Sequence, residues 1–94
     1  KPDGALRPVA VLRDPKSGRT LEVLSDMPGV QVYTGNYLDG TNRGKGGTVY
    51  AKHAGICIET QFHPDSVHHP DWPSPRLAPH ATYRHTMVHR FSTR

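Results

Sequence analysis

Shortages narrow the chemistry open to this 94-residue chain before any motif is sought. It has one cysteine, Cys57, so an internal disulfide framework is excluded. Redox logic leaves the compartment open, and a reducing cytoplasm is the expectation that fits. No apolar run approaches the roughly 20 residues needed to cross a bilayer, and no basic-plus-apolar leader opens the chain, so a soluble chain with no membrane partner is expected. Apolar residues make up only 34% and aromatics 7%, lean for a chain this short to bury a self-sufficient core. The formal charge is +4, yet the twelve Lys and Arg are scattered, and only Arg43 with Lys45 and Arg84 with Arg90 come close to grouping. Counterion release rewards a concentrated positive stripe, and base stacking needs aromatics interleaved with it. Neither is present, so no nucleic-acid partner is expected. An apolar stripe of helical period is missing too, as is any internal repeat.

Short extended segments separated by turns are what remains. A turn is expected at Pro2-Asp3-Gly4. Residues 6–13 and 19–24 read as strands joined by the turn Asp14-Pro15-Lys16-Ser17-Gly18, a plausible antiparallel hairpin. After a second turn, Ser25-Asp26-Met27-Pro28-Gly29, residues 30–34 form a third strand with Val30 and Val32 on one face and Gln31 and Tyr33 on the other. Residues 35–47 hold five glycines among polar residues. They lack the order of a phosphate-binding loop and read as loop. Residues 63–80 carry five of the nine prolines, which fix φ and remove amide donors, so an irregular crossing is expected there. Residues 83–91 read as a closing strand with Tyr83, His85, Met87, His89 and Phe91 on one face. The fold class expected is all-β.

The stretch 54–62 is where a charge interrupts an apolar run. Strand periodicity puts Ile56, Ile58, Thr60 and Phe62 on one face and Cys57, Glu59 and Gln61 on the other. A carboxylate in an apolar setting must be hydrogen-bonded, paired, or left with a raised pKa, and the last of these suits a general base. The plainer reading sets Glu59 on a solvated sheet face or against an arginine.

The other chemistry-bearing residues point less clearly. His85 and His89 are four apart, but on a strand that is roughly 13 Å, too far for two ligands of one ion. His63, His68, His69 and His80 follow no metal-ligand spacing, so no metal is expected. Cys57 lies equally far along a strand from His53 and reads as a small buried hydrophobe. Trp72, among prolines, serves either as a platform for a sugar or peptide or as a cover over the core.

Three segments resemble one family. They are Leu21-Glu22-Val23 with Pro28-Gly29-Val30-Gln31-Val32-Tyr33-Thr34-Gly35-Asn36-Tyr37-Leu38-Asp39-Gly40-Thr41, then Lys52-His53-Ala54-Gly55-Ile56-Cys57-Ile58-Glu59-Thr60-Gln61, and the ending Tyr83-Arg84-His85-Thr86. In order and spacing they are similar to the C-terminal third of the aldose 1-epimerase (galactose mutarotase) family. Ser25-Asp26-Met27 departs from that pattern, which more often has two threonines and a polar residue there. The resemblance implies a large antiparallel β-sandwich with an open cleft, of which residues 1–94 are the C-terminal part of a single domain, incomplete on its own. It implies interconversion of the α and β anomers of free hexoses such as glucose and galactose, without a cofactor. Glu59 would be the base on the C1 hydroxyl, and Gln31 would bind sugar hydroxyls. The family's acid histidine, a second histidine, an arginine and an aspartate lie in earlier segments that have no counterpart here. Either the N-terminal remainder of the domain or another copy of the chain would then complete the site, and the 94 residues alone would be inactive. Two competing readings are a non-catalytic carbohydrate-binding module and a truncated, mutarotase-like protein that associates through its exposed sheet.

Overall fold

Alternation of apolar and polar side chains commits much of the chain to strands. The computed structural model describes residues 4–93, so the expected turn at Pro2-Asp3-Gly4 falls largely outside the described residues. Among them the strands are β1 (Arg7–Arg13), β2 (Arg19–Ser25), β3 (Gly29–Tyr33), β4 (Cys57–Gln61) and β5 (Met87–Thr93). All pairings between these strands are antiparallel. The helical segments described are single 3-10 turns at Lys45–Gly47 and Ser66–His68. The chain is therefore all-β, and its two sheets, ordered β1-β2-β5 and β3-β4, fit part of a β-sandwich.

The β1–β2 hairpin forms where the sequence predicts it. Its turn is held by the Asp14 carboxylate, which accepts from the Lys16 amide (3.1 Å), the Ser17 amide (3.2 Å) and the Ser17 hydroxyl (2.6 Å). On β1 the register slips between Pro8 and Ala10. A proline has no amide to give the ladder, and the sheet tolerates it because β1 is an edge strand. β2 is paired on both sides, and its Val23 and Ser25 are completely buried.

β5 begins four residues later than residues 83–91 predict. The residues before it are taken by another set of partners. The Asp26 amide donates to the Thr86 carbonyl (3.3 Å), and the Asp26 carboxylate accepts from the Thr86 amide (3.0 Å). His85 Nε2 lies 2.8 Å from Thr60 Oγ1 on β4 and 3.4 Å from Ser25 Oγ on β2. Thr60 directs its hydroxyl proton at Met87 Sδ (3.3 Å), so the imidazole is the donor to Thr60. Ser25 Oγ also accepts from the Met27 amide (3.1 Å). This polar knot ties the two sheets together at one corner. Ser25, Asp26 and Thr60 are buried within it, so the turn that departs from the family pattern is among the most enclosed segments of the chain.

Elsewhere the sheets are open. The accessible surface is 7463 Å², against about 5,400 Å² for a compact chain of this mass. The radius of gyration is 16.8 Å, against about 12 Å for a compact chain of this length. Val30, Val32 and Ile56, on the face of the second sheet opposite Glu59, remain 37%, 49% and 48% exposed. One hollow of about 1040 Å³ is an apolar, open surface bounded by Leu12, Leu21 and Phe91, with neither Gln31 nor Glu59 in its wall. Among the described residues no helix is long and apolar enough to cross a membrane, which says nothing of spanning by strands.

Candidate active site

The two residues singled out on separate strands are direct neighbours. In the β3–β4 ladder Gln31 stands opposite Glu59, flanked by the pairs Gly29–Gln61 and Tyr33–Cys57. Because side chains alternate, these six positions share one face, while Val30, Val32, Ile58 and Thr60 share the other. Directly opposed residues hold their Cβ atoms about 5 Å apart, so the Gln31 amide and the Glu59 carboxylate can reach one small molecule together.

Both side chains are exposed. Among the described residues Glu59 has no hydrogen-bond or ion-pair partner, so no arginine holds it and no apolar layer seals it. The carboxylate occupies the solvated sheet face of the plainer sequence reading, with its full acceptor capacity free for a ligand. Paired carboxylates in this chain look different. Glu22 meets Arg90 at 2.8 Å from the position directly across the β2–β5 ladder. Asp14 is held below the usual carboxylate range chiefly by the Ser17 hydroxyl, and Asp39 by the Thr41 hydroxyl, each with help from backbone amides.

The surroundings of the pair come from parts of the chain that the sequence leaves as loop. At one end the Tyr33 hydroxyl accepts from the Tyr37 amide (3.0 Å), and the two rings stack with centroids 6.2 Å apart. The long loop returns to β3 through His53, whose Nδ1 donates to the Thr34 carbonyl (2.8 Å) and whose amide donates to the Gly35 carbonyl (3.1 Å). Gly35 has φ +71°, and a Cβ there would stand 3.0 Å from the Gly55 carbonyl oxygen, so this join requires glycine. Cys57 is exposed beside the pair, not the buried hydrophobe expected.

At the other end the structure adds a residue that sequence reasoning missed. A Cβ on Gly29 would lie 2.9 Å from His63 Nδ1, so the imidazole occupies the space that a side chain at position 29 would fill. His63 therefore stands on the Glu59 face, in line with Gln31. The sequence offers one hint of this, a glycine opening an otherwise β-branched strand, which marks a close approach by some other group. The remaining histidines do not gather here. His68 and His69 face Asp65, and His85 belongs to the knot behind the sheet. Among the described residues no three His, Cys, Asp or Glu side chains converge as a metal-ligand set.

An antiparallel sheet with a free carboxylate and a primary amide side by side on an open face presents acceptor and donor groups that can reach one small polar molecule together. Comparison with known proteins identifies the family. The family model described as aldose 1-epimerase matches residues 1–90, and the chain belongs to that family. It is 54% identical over 83 residues to galactose mutarotase of Mus musculus, covering 88% of this chain and 24% of the mouse protein. With galactose mutarotase of Homo sapiens the identity is 55% over 76 residues, covering 81% of this chain and 22% of the human protein. An aldose 1-epimerase of Haemophilus influenzae is 44% identical over 66 residues, covering 70% of this chain and 19% of that protein. The chain thus spans about a quarter or less of the length of these relatives.

Proposed function

We propose that this chain supplies the base and one sugar-binding residue of an active site that interconverts the α and β anomers of free hexoses. Glu59 takes the proton of the C1 hydroxyl as the ring oxygen is protonated, which opens the hemiacetal. Rotation about C1–C2 presents the other carbonyl face, and reclosure gives the second anomer. Gln31 holds neighbouring hydroxyls so that C1 stays at the carboxylate. The step needs only proton transfers, each worth about 100- to 10,000-fold when the group is well placed. No metal or cofactor enters it.

The observation that carries this reading is the cross-strand pairing of Gln31 with an unpartnered, accessible Glu59. Family membership and the names of the relatives, galactose mutarotase and aldose 1-epimerase, support it. The acid that protonates the ring oxygen is contributed from outside these 94 residues, by the N-terminal remainder of the domain or by another copy of the chain. About 2,000 Å² of surface in excess of a compact chain is what that completing segment would cover. Polarimetry of freshly dissolved α-D-galactose tests the assignment in the assembled protein. Glu59→Gln is expected to remove nearly all rate enhancement. An unchanged rate would overturn the base assignment, and galactose binding without any enhancement by the unmutated protein would favour a non-catalytic sugar-binding module.

A further inference from the structure

We propose that His85 is a positioning residue for the reaction at Glu59: through the hydroxyl of Thr60 it fixes the twist of β4, and so the direction in which the carboxylate points. The proposal rests on the reading of Glu59 as the base.

Thr60 follows Glu59 on β4, and alternation sends the two side chains to opposite faces of the strand. One planar peptide unit joins them, so turning either about the strand axis turns the other. The Thr60 hydroxyl is not free to turn. It accepts from His85 Nε2 at 2.8 Å and aims its own proton at Met87 Sδ (3.3 Å), in a residue that is buried. His85 is tethered in turn. Its Nε2 lies 3.4 Å from Ser25 Oγ on the central strand β2, where Ser25 is fully buried and also bonded to the Met27 amide.

β4 needs such a tie. Among the described residues its sheet has two strands, and twist is largest in a two-stranded ribbon, which is marginally stable by itself. One edge of β4 is bonded to β3, and among the described residues Thr60 is the side chain of the strand that hydrogen-bonds to the three-stranded sheet or to the segment leading into it. Glu59 is exposed and has no partner of its own among the described residues. A free carboxylate keeps its acceptor capacity for the sugar but cannot hold its own direction. Its aim comes from the backbone, which is held one residue away and from the opposite face. Displacing a reacting group by about 1 Å can cost on the order of 100-fold in rate, so a link of this kind acts on the chemical step.

The test is mutarotation of α-D-galactose by the assembled protein, expressed as kcat per folded molecule, with the folded fraction taken from near-ultraviolet circular dichroism at the assay temperature. His85→Ala is expected to lower that value roughly tenfold while KM stays within about twofold, because Gln31 is carried by the other strand. Thr60→Val removes the hydroxyl from a side chain of similar shape and is expected to do the same. The double variant should lose no more than either single one, since both cut the same link. His85→Gln, which keeps an N–H donor, should recover most of the rate. A joint that serves the fold alone would lower the folded fraction and leave the rate per folded molecule unchanged, and that result in His85→Ala and Thr60→Val overturns the proposal. If His85→Ala does not fold, Thr60→Val and Thr60→Ala decide on the same criterion, and failure of all three to fold also overturns it. In Glu59→Gln, adding His85→Ala is expected to lower the residual rate no further. If Glu59→Gln is inactive while His85→Ala keeps its full rate per folded molecule, the positioning role falls and the base assignment stands. If Glu59→Gln turns over normally, the base assignment falls and the positioning role falls with it.

Discussion

The two sheets use their polar side chains in opposite ways. In and around β1-β2-β5, Ser25 and Asp26 are buried and fully partnered, bonded to His85 and to the amides of Met27 and Thr86. On β3-β4, Gln31 and Glu59 stand opposite one another, exposed, with no such partners for the carboxylate among the described residues. A buried polar group costs stability unless it is satisfied within the protein, so its capacity is spent on structure. An exposed one keeps that capacity for a ligand. Thr60 shows the boundary between the two uses, because it neighbours Glu59 on β4 yet turns to the other face and joins the knot with His85 and Met87.

Substitutions in the assembled protein should separate these roles, beginning with the largest effect. Glu59→Gln is expected to reduce mutarotation by roughly 100- to 10,000-fold with little change in melting temperature, because nothing in the fold depends on its charge. Polarimetry alongside calorimetry checks both halves, and a large loss of stability would erase the contrast. Asp26→Ala should do the reverse. It removes the acceptor of the Thr86 amide and is expected to cost about 1 to 3 kcal/mol in denaturant unfolding. Asp26→Asn, which keeps an acceptor, should recover part of that. Arg90→Ala breaks the exposed Glu22 pair and should cost no more than about 0.2 to 1 kcal/mol, shrinking as salt is added.

Acid should act most weakly and locally, at the β1–β2 turn. Asp14 is held below its usual range chiefly by the Ser17 hydroxyl, so the folded turn favours the ionised form. Its contribution is present above the unfolded carboxylate range and is lost as pH falls through the lowered folded value. Chemical-shift titration of the Lys16 and Ser17 amides is expected to show the turn loosening only at the acidic end. Asp14→Asn should abolish that response, and loosening at neutral pH would contradict it.

Much of the strand content was legible because period-two alternation is local. The chain shows it plainly at Arg19–Ser25, Gly29–Tyr33 and Cys57–Gln61. The same alternation put Gln31 with Tyr33 and Glu59 with Cys57 on the polar faces of their strands. It overran at residues 83–86, where Asp26 and His85 make long-range contacts that no local pattern announces. It also read Cys57 as buried, since periodicity tells which residues share a face but not whether that face is covered.

Sequence alone determined most of the strands and which of their residues share a side, because steric alternation along a strand depends only on neighbours in the chain. The tertiary structure decided that Gln31 meets Glu59, that His63 fills the space over Gly29 and that His85 binds the two sheets. Those contacts join residues far apart in the chain, and their register is set by which apolar faces must be buried together and which loops can close.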